Sequence, residues 1–148
     1  MTFTGALFST NSNEWETPQD LFVHYNKLFK FNLDVCASSA NNKCIRYFSK
    51  SDNGLGRTWS RCNWMNPPYG RQIILWVKKA YEESLSGNTT VCLLPARTDT
   101  RWWHDYVLKA DSIYFIKGRL KFKQNKKEPR CTAPFPSCIV IFGLSYRK

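Results

Sequence analysis

The stretch Cys62-Asn63-Trp64-Met65-Asn66-Pro67-Pro68-Tyr69-Gly70 organises this chain. Residues 61–65 form a short apolar run that reads as a strand. Pro67 and Pro68 then fix φ and remove two backbone N–H groups, so a stiff, donor-poor loop follows the strand. From Ile73 the positions Ile73, Ile74, Val77, Ala80 and Tyr81 recur on one helical face, and Gly87-Asn88 closes that helix. Thr90-Val91-Cys92-Leu93-Leu94 follows as an unbroken apolar strand stopped by Pro95, the pattern of a strand covered on both faces. Strands alternating with helices predict an α/β fold with a largely parallel central sheet.

On the N-terminal side, Thr17-Pro18-Gln19-Asp20 reads as a helix start, with Thr17 as N-cap and Pro18 at the first position. Leu21, Phe22, Tyr25, Leu28 and Phe29 continue at helical spacing. Residues 31–36 alternate as a strand, Ile45 to Phe48 reads as a short strand, and Ser51-Asp52-Asn53-Gly54 as a turn. Beyond Pro95, Trp102, Trp103, Tyr106 and Val107 suggest a helix, and Ser112 to Ile116 and Ser137 to Phe142 two more strands. Residues 1–13 read as a flexible arm and 14–148 as one domain. In parallel sheets ligands sit outside the carboxyl ends of the strands, where Asp34, Asn66 and Pro95 fall.

The chain has 148 residues, sufficient for one domain with a sizeable core. Residues 1–10 lack the basic and apolar regions of a signal peptide, and no apolar run approaches a membrane span. The six cysteines include no Cys-x-x-Cys pair, and only His24 and His104 supply imidazole, so no metal site is expected. Reduced thiols fit a cytoplasmic protein. The net charge is +11, and Lys117 to Arg130 holds seven basic residues against one acid, with Phe122 interleaved. A basic segment carrying an aromatic suits a nucleic-acid contact.

The Asn66 loop offers acceptors, the side-chain oxygen and main-chain carbonyls, beside the aromatic Tyr69. That combination suits a planar amino group whose hydrogens are drawn into hydrogen bonds. Further markers stand in a fixed order around it: Trp15-Glu16-Thr17-Pro18, Leu33-Asp34-Val35-Cys36-Ala37-Ser38, Asp52-Asn53-Gly54-Leu55, Leu93-Leu94-Pro95-Ala96-Arg97-Thr98-Asp99, Lys117-Gly118-Arg119-Leu120-Lys121-Phe122 and Pro134-Phe135-Pro136-Ser137. With Asn66 to Tyr69, they make the chain resemble the phage-type, Dam-like DNA N6-adenine methyltransferases from about Trp15 to Phe142. The resemblance implies a compact Rossmann-like fold, helices on both sheet faces, no large target-recognition domain, and S-adenosylmethionine as cofactor. A phage-encoded member would work in the host cytoplasm on double-stranded DNA, as a monomer or weak homodimer.

The resemblance also implies roles. Asn66, Pro67, Pro68 and Tyr69 form the catalytic loop. Trp15, Thr17, Pro18, Asp34, Cys36, Ala37, Asp52 and Asn66 meet the cofactor: Thr17 at the methionine carboxylate, Asp34 at the α-ammonium, Asp52 at the ribose or the adenine amino group. The glycine-rich loop of the broader methyltransferase pattern is absent, replaced by Ala37-Ser38-Ser39-Ala40. Arg97, Arg101, Arg119, Lys121 and Lys123 are candidates for phosphate contacts. Tyr69 stacks on a flipped adenine, helped by Phe122 or Phe135, for which core packing is the competing use. Alternatives are an amino-methyltransferase acting on RNA or protein glutamine, and a non-catalytic DNA-binding protein.

Overall fold

The computed structural model describes residues 15–124 and 127–144, with side chains of 123–131 outside the description. The expected N-terminal arm also lies outside the described residues. In chain order the elements are α1 (Gln19–Phe29), β1 (Leu33–Asp34), β2 (Cys62–Met65), α2 (Ile73–Leu85), β3 (Thr89–Pro95), α3 (Arg101–Asp105), β4 (Ser112–Phe115), β5 (Lys121–Gln124), β6 (Lys127–Thr132) and β7 (Ser137–Phe142). Single 3-10 turns occur at Gly54–Gly56 and Val107–Lys109.

Every residue of β2, β3 and β7 is buried, which is why their sequences lack polar alternation. The five-stranded sheet has the order β1-β2-β3-β7-β4. β1, β2 and β3 are mutually parallel, whereas β7 runs antiparallel to both β3 and β4. The expectation of a largely parallel sheet is therefore corrected to a mixed one. A parallel neighbour requires a crossover, usually a helix. Residues between β4 and β7 instead form the separate β5–β6 hairpin, so β7 returns reversed.

Register and ring contacts show how the faces are covered. Trp64 and Tyr114 share one face through the ladders Trp64↔Val91, Val91↔Ile141 and Tyr114↔Ile139. There α1 sets Phe22 edge-on to Trp64, with centroids 5.5 Å apart. The opposite face carries Phe142 and Phe115. Tyr81 of α2 packs on the former at 6.3 Å, and Trp103 of α3 stacks on the latter at 6.3 Å. Each large apolar side chain buried this way contributes roughly 1.5–3 kcal/mol.

Three local expectations change. Thr17 does not cap α1; Pro18 takes the N-cap position, and its carbonyl accepts from Phe22 N at 3.2 Å. The strand expected over 31–36 shrinks to Leu33–Asp34, because the Asp34 carboxylate captures the N–H groups of Cys36 (3.3 Å) and Lys43 (3.0 Å) and turns the chain out of the sheet. Residues 45–48 then have only β1 to pair with, leaving a bridge between Asp34 and Tyr47 in place of a strand. The helix end at Gly87 does form, at φ 91°. Among the described residues, no helix is long and apolar enough to cross a membrane.

Candidate active site

Because β1, β2 and β3 are parallel, Asp34, Asn66 and Pro95 emerge at the same sheet edge. A cavity of about 510 Å³ opens there, within the usual range for small-molecule sites. Trp15, Thr17, Asp34, Cys36, Ala37, Asn66, Pro67 and Pro68 all line it. The structure thus gathers residues that lie far apart in sequence.

Asn66 is held from the N-terminal side. Its Nδ2 donates to the Trp15 carbonyl at 2.5 Å and to Thr17 Oγ1 at 2.9 Å. Both amide hydrogens are thereby committed, and the side-chain plane is fixed. Oδ1 is buried without a hydrogen-bond partner. A buried amide oxygen is costly to leave unpaired, so this acceptor suits an incoming donor. Thr17, 5% exposed, thus orients Asn66 while its hydroxyl proton stays available to a second group.

Asp34 ends β1 at 3% exposure. Burial pushes its carboxyl up to about 7; the N–H groups of Lys43 and Cys36 and the Lys43 charge oppose this only in part. A buried carboxylate of this kind favours a cationic ligand group.

Tyr69 lies deeper, 4% exposed, with its hydroxyl donating to the Leu93 carbonyl at 2.9 Å. Burial holds its phenol well above the ordinary range. Its ring meets Phe135 at 5.5 Å and Phe122 at 6.4 Å, both edge-on, and Trp15 joins the same two rings at 5.4 Å each. Phe122 is fully buried and Phe135 nearly so, so both pack the core here. The cluster fastens the β5–β6 hairpin, through Phe122, to the Asn66 loop.

Other candidates sit elsewhere. Pro18 is not part of the cavity lining. The Asp52 carboxylate turns into its own loop, accepting the Ser49 N–H and hydroxyl at 2.8 Å each, which hold it below its ordinary value. Ser49, Lys50, Asn53, Gly54 and Leu55 line the cavity where Asp52 was expected. Arg97, exposed, sets its guanidinium 5.9 Å from the Phe135 centroid, and Arg101, Arg119 and Lys121 are exposed outside the cavity. The Lys123 side chain lies outside the described residues.

Sequence reading passed over Trp64 and Trp76, both in the cavity wall. Trp64 was hidden by its apolar strand. Trp76 follows Ile73 by three residues, a helical spacing that placed it with that face. Among the described residues, no group of three or more metal-ligating side chains occurs.

A family model described as DNA N-6-adenine-methyltransferase (Dam) matches residues 6–148. The chain belongs to that family. It is 35% identical over 109 residues to the DNA N-6-adenine-methyltransferase of Escherichia phage T1, covering 72% of this chain and 45% of that protein. It is 32% identical over 133 residues to the protein of the same name from Haemophilus phage HP1, covering 86% and 77% respectively. The match thus spans less than half of the T1 protein and about three quarters of the HP1 protein.

Proposed function

We propose that this protein is a Rossmann-like methyltransferase that moves a methyl group from S-adenosylmethionine to N6 of adenine in DNA. The observation that carries the reading is the Asn66 amide, pinned through Nδ2 to Trp15 and Thr17 with Oδ1 buried and unpaired at the cavity. Family membership supplies the substrate class.

The residues fit the cofactor. The buried Asp34 carboxylate matches its α-ammonium, and the Thr17 hydroxyl retains a proton for its carboxylate. When bound, the cofactor supplies an electrophilic sulfonium methyl. The Asn66 Oδ1 and the Pro67 carbonyl accept the two N6 hydrogens and draw the nitrogen lone pair out of conjugation with the ring. Asn66 is no base, so the surplus proton leaves to solvent. Catalysis then rests on positioning and oriented dipoles. N6 is inaccessible within the duplex stack, so the adenine is flipped into the site. Exposed Arg97, Arg101, Arg119 and Lys121 meet phosphates. Tyr69, joined to Leu93, supports the loop from beneath and reaches a base only if the cluster shifts.

The test is Asn66→Ala. Calorimetry should show cofactor affinity within a few-fold of the original, and tritium transfer to adenine should fall by two orders of magnitude or more, roughly the effect of losing one oriented transition-state group. Undiminished transfer would sink the mechanism. Parallel assays on RNA and protein separate the DNA reading from other amino-group acceptors.

A further inference from the structure

Two indole N–H groups in the cavity wall have no part in the scheme above. Trp64 is fully buried on β2, Trp76 is 8% exposed on α2, and both line the cavity. Neither Nε1 has a hydrogen-bond partner, although both atoms are shielded from solvent. The neighbouring Trp59, stacked on Trp76 with centroids 6.4 Å apart, shows the ordinary outcome: its Nε1 donates to the Gly54 carbonyl at 2.8 Å. An indole nitrogen can only donate, and burying a donor unpaired is unfavourable. Phenylalanine would fill apolar space without that cost.

We propose that Trp64 and Trp76 are ligand-binding residues whose indole N–H groups donate to acceptor atoms of the cofactor in this cavity. The inference rests on the S-adenosylmethionine reading of the site. The cofactor carries one cationic ammonium and several acceptors: carboxylate oxygens, ribose oxygens and adenine ring nitrogens. Asp34 answers the ammonium and, being an anion, cannot answer the acceptors. The two indoles supply donors of fixed direction on rigid elements, one from the sheet and one from the helix. A few convergent polar groups in a largely apolar wall are what orient a small ligand. Indole donors also partly replace the glycine-rich loop, whose backbone N–H groups this chain lacks at Ala37-Ser38-Ser39-Ala40.

The direct test is nuclear magnetic resonance on ¹⁵N-labelled full chain, in which each of the six tryptophans gives one indole signal. Through-space contacts assign the signals, so the test survives if a substitution prevents folding. Added S-adenosylhomocysteine should move the Trp64 and Trp76 signals downfield and slow their exchange with solvent. Adenosine and methionine, used separately, report which half of the cofactor each indole meets. Trp64→Phe and Trp76→Phe should each weaken S-adenosylhomocysteine binding by about three- to tenfold in calorimetry, the scale of one hydrogen bond. If the wild type binds the ligand while both indole signals stay in place, this inference is overturned and the functional reading stands. If the wild type binds no S-adenosylhomocysteine or S-adenosylmethionine at all, the functional reading itself fails.

Discussion

Replacing Asp34 by asparagine should change both the pH dependence of stability and that of cofactor binding. Burial raises the folded-state pKa of this carboxyl from 3.8 to about 7. Between those values the folded chain holds a proton that the unfolded chain has released. The resulting stabilisation is full below pH ~4 and is lost as the pH rises through about 7. With these two values, the loss between pH 5 and pH 8 is about 2.6 kcal/mol, an order-of-magnitude figure. An amide in place of this carboxyl has no charge to gain, so Asp34→Asn should lack this component. The assay is urea unfolding of ligand-free wild type and variant at both pH values; subtracting the two profiles isolates Asp34 from every other titrating group. Cofactor affinity should run the opposite way. The ionised carboxylate is what meets the ammonium, and its population rises from roughly a tenth at pH 6 to nine-tenths at pH 8. Wild-type affinity should therefore rise about tenfold over that interval, while the variant stays weak and flat. Parallel profiles for wild type and variant in both assays would refute the reasoning.

A Cβ at Gly54 would lie 2.5 Å from the Val35 carbonyl oxygen and 3.1 Å from Trp76, so Gly54→Ala should cost about 1–3 kcal/mol in unfolding and weaken cofactor binding. An unchanged Tm would contradict that packing. Tyr69→Phe removes the bond to Leu93 and should cost about 1 kcal/mol while leaving kcat within a few-fold, because the ring stays in its cluster. A collapse of kcat with unchanged stability would give the hydroxyl a direct chemical role. Arg119→Gln with Lys121→Gln should lower the slope of log affinity against log salt for duplex DNA by about two, as expected for two lost phosphate contacts. An unaltered slope would move the DNA surface away from this hairpin.

Much of this architecture was legible in local chemistry. The all-apolar runs at 90–94 and 137–142 gave buried strands, and the stripe from Ile73 gave α2, because burial on both faces or on one face writes directly into residue order. What periodicity could not report was strand direction. β7 reads as an apolar strand whichever way it runs, and its reversal follows from the β5–β6 hairpin standing where a crossover helix would be needed. Thr17 shows the same limit at the site. Thr-Pro before a helix carries the same letters whether the hydroxyl caps the helix or holds Asn66 across 49 positions of chain.

The sequence by itself determined the chemistry at hand: an acceptor-rich Asn-Pro-Pro-Tyr loop between strand and helix, a carboxylate closing a strand, and a basic hairpin. Those are properties of residue type and short-range order. Only the tertiary structure decided which atoms remain available. It commits the Asn66 NH₂ to Trp15 and Thr17 and leaves Oδ1 unpaired, turns Asp52 into its own loop, sinks Tyr69 against Leu93, and brings Trp64 and Trp76 to the cavity with unpaired donors. Hydrogen-bond satisfaction depends on neighbours distant in sequence, and the same residue can serve as core, positioning group or ligand contact depending on which of its polar atoms folding has already paired.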